Sequence, residues 1–154
     1  MSPDVYRFYK DYQEEILKMA DIFSFTVHIV TTDVENAGTN GDVYLGICGR
    51  EFFIDSSAND FERGAEAIYK FGSGANILNK DLNDPRKPQL RTEDLGKFPV
   101  YIRFEPIGAS PDWNFSLVNV EIGGTGFFVL HRKGMWLGRK AGKICFLKEG
   151  RLGE

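Results

Sequence analysis

Two stretches hold the residue types that could do chemistry, Asn36-Ala37-Gly38-Thr39-Asn40-Gly41-Asp42 and Asp55-Ser56-Ser57-Ala58-Asn59-Asp60. Both are rich in carboxylate, amide and hydroxyl oxygens, and neither contains a thiol or an imidazole. Such a donor set suits a hard cation, Ca²⁺ above all. The same residues also read as plain turns, because Asn, Asp, Ser and Gly tolerate positive φ or bond their own backbone. Both readings stand at this point.

Catalytic chemistry has less to work with. The chain contains no G-x-S-x-G elbow, no H-E-x-x-H and no phosphate loop. His28 and His131 have no acid or nucleophile beside them in sequence, so no enzyme is expected. Cys48 and Cys145 are too few for a disulfide framework and lack zinc-site spacing. They are expected as buried free thiols, with a disulfide left open should their strands prove adjacent.

These stretches must be positioned by a scaffold of ordinary single-domain size, 154 residues with 42% hydrophobic content. Nineteen basic against 22 acidic residues give a formal charge of -3. No run of Lys and Arg offers a footprint for nucleic acid, which is excluded as an expected partner. Seventeen Gly, 13 Phe and 6 Tyr point to many turns joining aromatic-rich strands, an all-β composition. No cationic, then apolar, leader opens the chain, and no run approaches 18 apolar residues. A cytoplasmic or peripheral-membrane protein is the default expectation.

The spacing of Val5, Phe8, Tyr12, Ile16 and Met19 predicts an amphipathic helix over 3–22, started by Ser2 and Pro3 and packed on the body of the domain. From Phe25 the period changes to two. Strands are predicted over 25–30, 42–48, 51–54, 66–71, 100–104, 115–122, 125–130 and 143–148, with Met135-Trp136-Leu137 between the last two. A long polar connection, 72–98, is read as loop with a short helical turn near 92–95. About eight strands make a sandwich or barrel, with 1–23 as a helical extension and 24–154 as the β domain. Because loops gather at the ends of a sandwich, the turns at 33–42, 55–64 and 110–113 are expected to converge.

Five pieces in order over roughly residues 24–140 resemble the PLAT (LH2) domain of lipoxygenases, pancreatic lipases and polycystins, and most of all the C-terminal domain of clostridial alpha-toxin phospholipase C. They are Ala37-Gly38-Thr39 leading into Val43-Tyr44-Leu45; Asn59-Asp60-Phe61 with Gly64; Leu95-Gly96 ahead of the 100–104 strand; Trp113, Phe115, Val118 and Val120; and Trp136-Leu137. The resemblance implies an eight-stranded antiparallel sandwich of two four-stranded sheets and a non-catalytic module whose end loops bind Ca²⁺. Carried over by position, Asn36, Gly38 and Asp112 form one Ca²⁺ site. Thr39, Asn40, Asp55, Asn59 and Asp60 belong to a second. Asn36 and Asn40 stand where metal-binding relatives often have Asp, which lowers the attraction for a cation, and Asp33 and Asp42 lie near enough in sequence to restore charge. Trp113 has two readings, a membrane-contacting indole or a core residue of the family pattern. The function implied is membrane or lipid association, with Ca²⁺ assisting. The alternative is a protein–protein interaction module that uses a sheet face or the N-terminal helix and needs no metal.

Overall fold

The computed structural model describes residues 2–18, 20–109 and 112–149, the side chains of 12–18 and 149 lying outside that description. The helix α1 spans Pro3–Lys18. The Val5 amide donates to the Ser2 hydroxyl at 3.3 Å, the cap expected of that residue. Strands then follow in chain order: β1 Asp21–Ile22, β2 Ser24–Thr31, β3 Asp42–Ile47, β4 Arg50–Ile54, β5 Glu66–Gly72 and β6 Leu90–Arg91. A 3-10 turn, Thr92–Gly96, separates these from β7 Tyr101–Glu105, β8 Trp113–Ile122, β9 Phe128–His131, β10 Met135–Leu137, β11 Ile144–Phe146 and β12 Lys148–Glu149.

All pairings are antiparallel, but the described strands form three sheets rather than two sheets of four. The large sheet runs β12-β9-β8-β2-β5 with β10 also on β8. It exceeds four because β8, ten residues long, takes both β10, at Trp113 to Phe115, and β9, at Val118 to Glu121, and because β12 adds to the far edge of β9. The second sheet is β11-β7-β3-β4, and β1 with β6 makes a small third one.

The helix also ends earlier than its periodicity predicts. The Ala20 amide donates to Thr92 Oγ1 at 2.8 Å, Thr92 returns its amide to the Ala20 carbonyl at 2.8 Å, and Asp21 pairs with Arg91 at 2.6 Å. These long-range bonds draw 20–22 into an extended conformation, which no local propensity could announce. Val5 and Phe8, expected to pack on the sandwich, are 44% and 66% exposed. Met19 lies outside the described residues.

The core is where alternation placed it. Phe25, Val27, Ile29 and Thr31 are buried along β2 while the residues between them are not. They meet Val43, Leu45 and Ile47 of β3, Ile102 and Phe104 of β7, and Val118, Val120 and Ile122 of β8. Aromatic rings knit the layers, with Phe25 stacked on Phe71 at 4.7 Å and edge-on to Phe52 at 5.0 Å. Cys48 and Cys145 are buried and free. The long polar connection covers the outer edge of β4. Asn83 Oδ1 accepts from the Phe53 amide at 2.8 Å, and the Pro88 carbonyl accepts from Arg50 at 3.0 Å. A strand edge that would otherwise present open backbone groups is thereby blocked.

Candidate functional site

β2 ends, and β3 and β5 begin, at the same end of the sandwich, so the turns between them are neighbours. The Thr39 amide donates to the Phe61 carbonyl at 3.0 Å, and the Gly64 amide to the Thr32 carbonyl at 3.3 Å. Gly38 marks the closest approach, since a Cβ there would lie 2.8 Å from the Arg63 amide nitrogen. The start of β8 joins them, the Asn114 amide donating to the Ala37 carbonyl at 3.1 Å. The 33–42 turn thus lies between the other two. Ser110 and Pro111 of the third turn lie outside the described residues.

The two oxygen-rich stretches enclose a polar cleft of about 260 Å³. Thr39, Asn40, Asp55, Asn59 and Asp60, the whole second set named from the sequence, line it together with Asp42. Burial first, then the neighbouring Asp60 carboxylate, raise Asp55 above the usual carboxylate range, and Asp42 adds to the effect. Asp60 has its own partners. Its Oδ2 accepts from the Ser56 amide at 2.8 Å, and its Oδ1 from the Ser56 hydroxyl at 2.7 Å and the Tyr69 hydroxyl at 2.9 Å. Burial and Asp60 in turn hold the Tyr69 phenol well above its ordinary value.

Ser56 and Tyr69 organise the cleft and were not singled out in the sequence. The i, i+4 spacing of Ser56 and Asp60 was the only local signal, and Tyr69 comes from β5. Among the described residues no three His, Cys, Asp or Glu side chains gather closely enough to hold a metal ion. The donors lining the cleft are all oxygens, however, and so fit a hard cation in kind.

The first set is less concentrated. Asn36 is exposed with φ of 63°, and Asp112 turns its Oδ1 to the Arg139 amide at 3.0 Å. Asp33 does not add charge to the cleft, because it pairs with Arg63 at 2.9 Å on the surface. Trp113 is not available to a membrane: it is fully enclosed, packs on Phe61, Phe104 and Phe115, and donates its indole N–H to Thr31 Oγ1 at 3.1 Å. The exposed apolar side chains at this end are instead Val34 at 41%, Ile107 at 49% and Trp136 at 42%. Trp136 stands opposite Asn114 on β10, which brings it beside the converged turns. His28 sits on the outer face of the large sheet with Glu66 at 2.6 Å, as a hydrogen-bonded surface residue.

An antiparallel sandwich with its polar turns gathered at one end is the architecture of the PLAT/LH2 region, and structural comparison bears out that resemblance. The chain matches the alpha-toxin of Clostridium absonum with a TM-score of 0.60 and 27% identity, over 83% of this chain and 32% of that one. The C. perfringens alpha-toxin from an avian strain matches with a TM-score of 0.61 and 19% identity, over 84% and 32%. Coral 8R-lipoxygenase, described as calcium-activated through a C2-like domain, matches with a TM-score of 0.59 and 20% identity, over 85% and 18%. The toxin match lies in the C-terminal domain. The chain therefore spans about a third of the length of the toxins and less than a fifth of the lipoxygenase. No protein-family model and no curated protein sequence matches it.

Proposed function

We propose that the protein is a non-catalytic lipid-associating module that meets a membrane with the end bearing the cleft, assisted by Ca²⁺. The observation that carries this reading is the meeting of Thr39, Asn40, Asp55, Asn59 and Asp60 around one cleft, with Asp42 as a third carboxylate. Asp55 and Asp60 supply charge at the ion and Asp42, on the cleft wall, adds to the field, while Asn40, Asn59 and Thr39 supply neutral oxygens. Ca²⁺ bound there would neutralise the carboxylates and offer open coordination positions to lipid phosphate oxygens. Asn36, Gly38 and Asp112, the set implied by the resemblance, would serve at most as a weaker cation position, since Asp112 Oδ1 already accepts from the Arg139 amide. Val34, Ile107 and Trp136 stand where apolar tips would enter the headgroup region, and an indole favours that depth.

Calorimetric titration of CaCl₂ into chelator-stripped protein tests the ion. Co-sedimentation with phosphatidylcholine vesicles, with and without phosphatidylserine, tests the membrane. Ca²⁺-dependent pelleting that Asp55→Asn and Trp136→Ala both reduce supports the reading, whereas equal pelleting in Ca²⁺ and in chelator removes the ion from it. A second reading, a metal-free protein-interaction module, is favoured by the exposed Val5, Tyr6, Phe8 and Tyr9 of α1.

A further inference from the structure

Six of the chain's 19 basic residues, Arg132, Lys133, Arg139, Lys140, Lys143 and Lys148, fall within 131–148, and no acidic residue interrupts them. In a chain of formal charge -3 the two signs are therefore segregated. The six do not form a run, and only the fold shows where they go. β10 brings the chain to the start of β8, Leu137 pairing with Trp113, and β11 leaves from the end of β7, Ile144 pairing with Arg103. That end of β7 is the cleft end, since Glu105 stands opposite Asp42 at the start of β3. The loop 138–143 thus crosses from the large sheet to the four-stranded one over the same end of the sandwich as the cleft.

Its shape is held by backbone groups. The Gly138 amide donates to the Gly142 carbonyl at 3.1 Å, the Arg139 amide to Asp112 Oδ1 at 3.0 Å, and Arg139 Nη1 to the Gly108 carbonyl at 3.2 Å. Arg139 and Lys140 are exposed at the tip, the guanidinium against a neutral carbonyl and Lys140 with no acidic partner among the described residues. Lys143 Nζ lies 3.5 Å from Glu105 Oε2, an exposed pair of little strength. The exposed Trp136 stands in the strand that enters the loop, and the exposed Ile107 in the turn that braces it.

We infer that this basic loop docks on anionic phospholipid, and that it does so without a metal ion. Cations grouped without acids repel one another, and a negatively charged bilayer surface relieves that repulsion. Nucleic acid offers the same charge but no apolar layer for Trp136 and Ile107 to enter. The tip of the sandwich is then divided in sign. Asp42, Asp55 and Asp60 line the cleft on the other side and oppose an anionic surface until a cation covers them. The loop supplies the attraction in chelator, and Ca²⁺ adds to it by relieving the acidic half. The inference rests on the reading that the cleft end meets the membrane, but not on the ion.

Co-sedimentation in chelator with phosphatidylcholine vesicles, with and without phosphatidylserine, provides the test. The expected result is partitioning onto the phosphatidylserine vesicles that is lost as NaCl rises from about 0.1 to about 1 M, where the screening length shrinks from about 10 to about 3 Å. Arg139→Gln and Lys140→Gln should each weaken it about fivefold, the factor expected for one cation near such a surface, and by the same factor in Ca²⁺. Lys140→Arg should bind as the wild type does, and Lys80→Gln, beyond the far end of β5, should change nothing. Unchanged thermal melts assign the losses to charge rather than to folding. No partitioning in chelator, or partitioning indifferent to Arg139→Gln and Lys140→Gln, would overturn the inference; Ca²⁺-dependent pelleting that persists beside either result leaves the membrane reading standing. A DNA duplex bound as tightly as the vesicles would also overturn it. Failure to pellet with either vesicle, in Ca²⁺ and in chelator alike, would remove both readings.

Discussion

Replacing Asp55 with Asn should make the protein more stable and less able to respond to Ca²⁺. Burial and the carboxylates of Asp60 and Asp42 hold Asp55 above its ordinary pKa, so its charged form is disfavoured in the folded state. Because Asp55 binds its proton more tightly folded than unfolded, the native state holds more protons between the ordinary pKa and the raised one. Stability falls as pH rises through that window, and the deficit persists at neutral pH. Two unit charges about 4 Å apart repel by about 1 kcal/mol in bulk water, and for a partly exposed carboxylate facing other carboxylates the net gain on neutralisation is of that order, about 1 kcal/mol after screening. Asn is close to Asp in size and removes only the charge, so the Ser56 amide and hydroxyl stay with Asp60.

For a chain of this size that gain corresponds to a Tm higher by about 2–4 °C at pH 7 in chelator. The advantage should vanish at pH 3, where the wild-type carboxyl is protonated. In saturating Ca²⁺ the order should reverse, because the wild type gains about 2.7 kcal/mol when the free ion stands at 100 times its Kd, while the variant gains little. Thermal melts by circular dichroism at pH 3, 5 and 7, each with chelator and with CaCl₂, carry the whole test. A variant less stable than wild type in chelator at pH 7 would mean that the Asp55 charge is favourably paired, and the repulsive cleft would have to be abandoned.

Gly38→Ala should cost about 1–3 kcal/mol in urea denaturation, since its Cβ meets the Arg63 amide nitrogen at 2.8 Å and forces the two turns apart. Trp113→Ala should cost about 3–5 kcal/mol by the same assay, leaving a cavity among Phe61, Phe104 and Phe115 and an unpaired Thr31 hydroxyl. A surface indole would instead be removed at almost no cost. The Cys48 thiol, pushed up to about 11 by burial and then by Asp94, is ionised in only about one molecule in a thousand at pH 8. Native protein should therefore react with a thiol reagent orders of magnitude more slowly than protein in 8 M urea, followed by absorbance; comparable rates would place the thiol at the surface.

Much of this molecule is legible in its sequence because the signals are local. Alternation along Phe25-Thr26-Val27-His28-Ile29-Val30 assigns one face to the core, since successive side chains on a strand point to opposite sides. Ser2 and Pro3 announce the helix start, and the oxygen-rich composition of 36–42 and 55–60 announces a polar turn. The order of the five motifs, each a few residues long, was enough to identify the fold.

What the tertiary structure decided was decided by bonds between residues far apart in the chain. Ala20 with Thr92 and Asp21 with Arg91 stop a helix whose own periodicity would carry it further. The length of β8 let it accept two strands along one edge, and β12 joined β9, so that a six-stranded sheet, a four-stranded one and the small β1–β6 pair stand where two equal sheets were expected. Trp113 went inward because three aromatic rings and the Thr31 hydroxyl were waiting there, while Trp136 was left outside. Composition could name the oxygens of the cleft, but only folding could show Asp60 already held by Ser56 and Tyr69, Asp33 drawn away by Arg63, and Asp42 brought in beside Asp55.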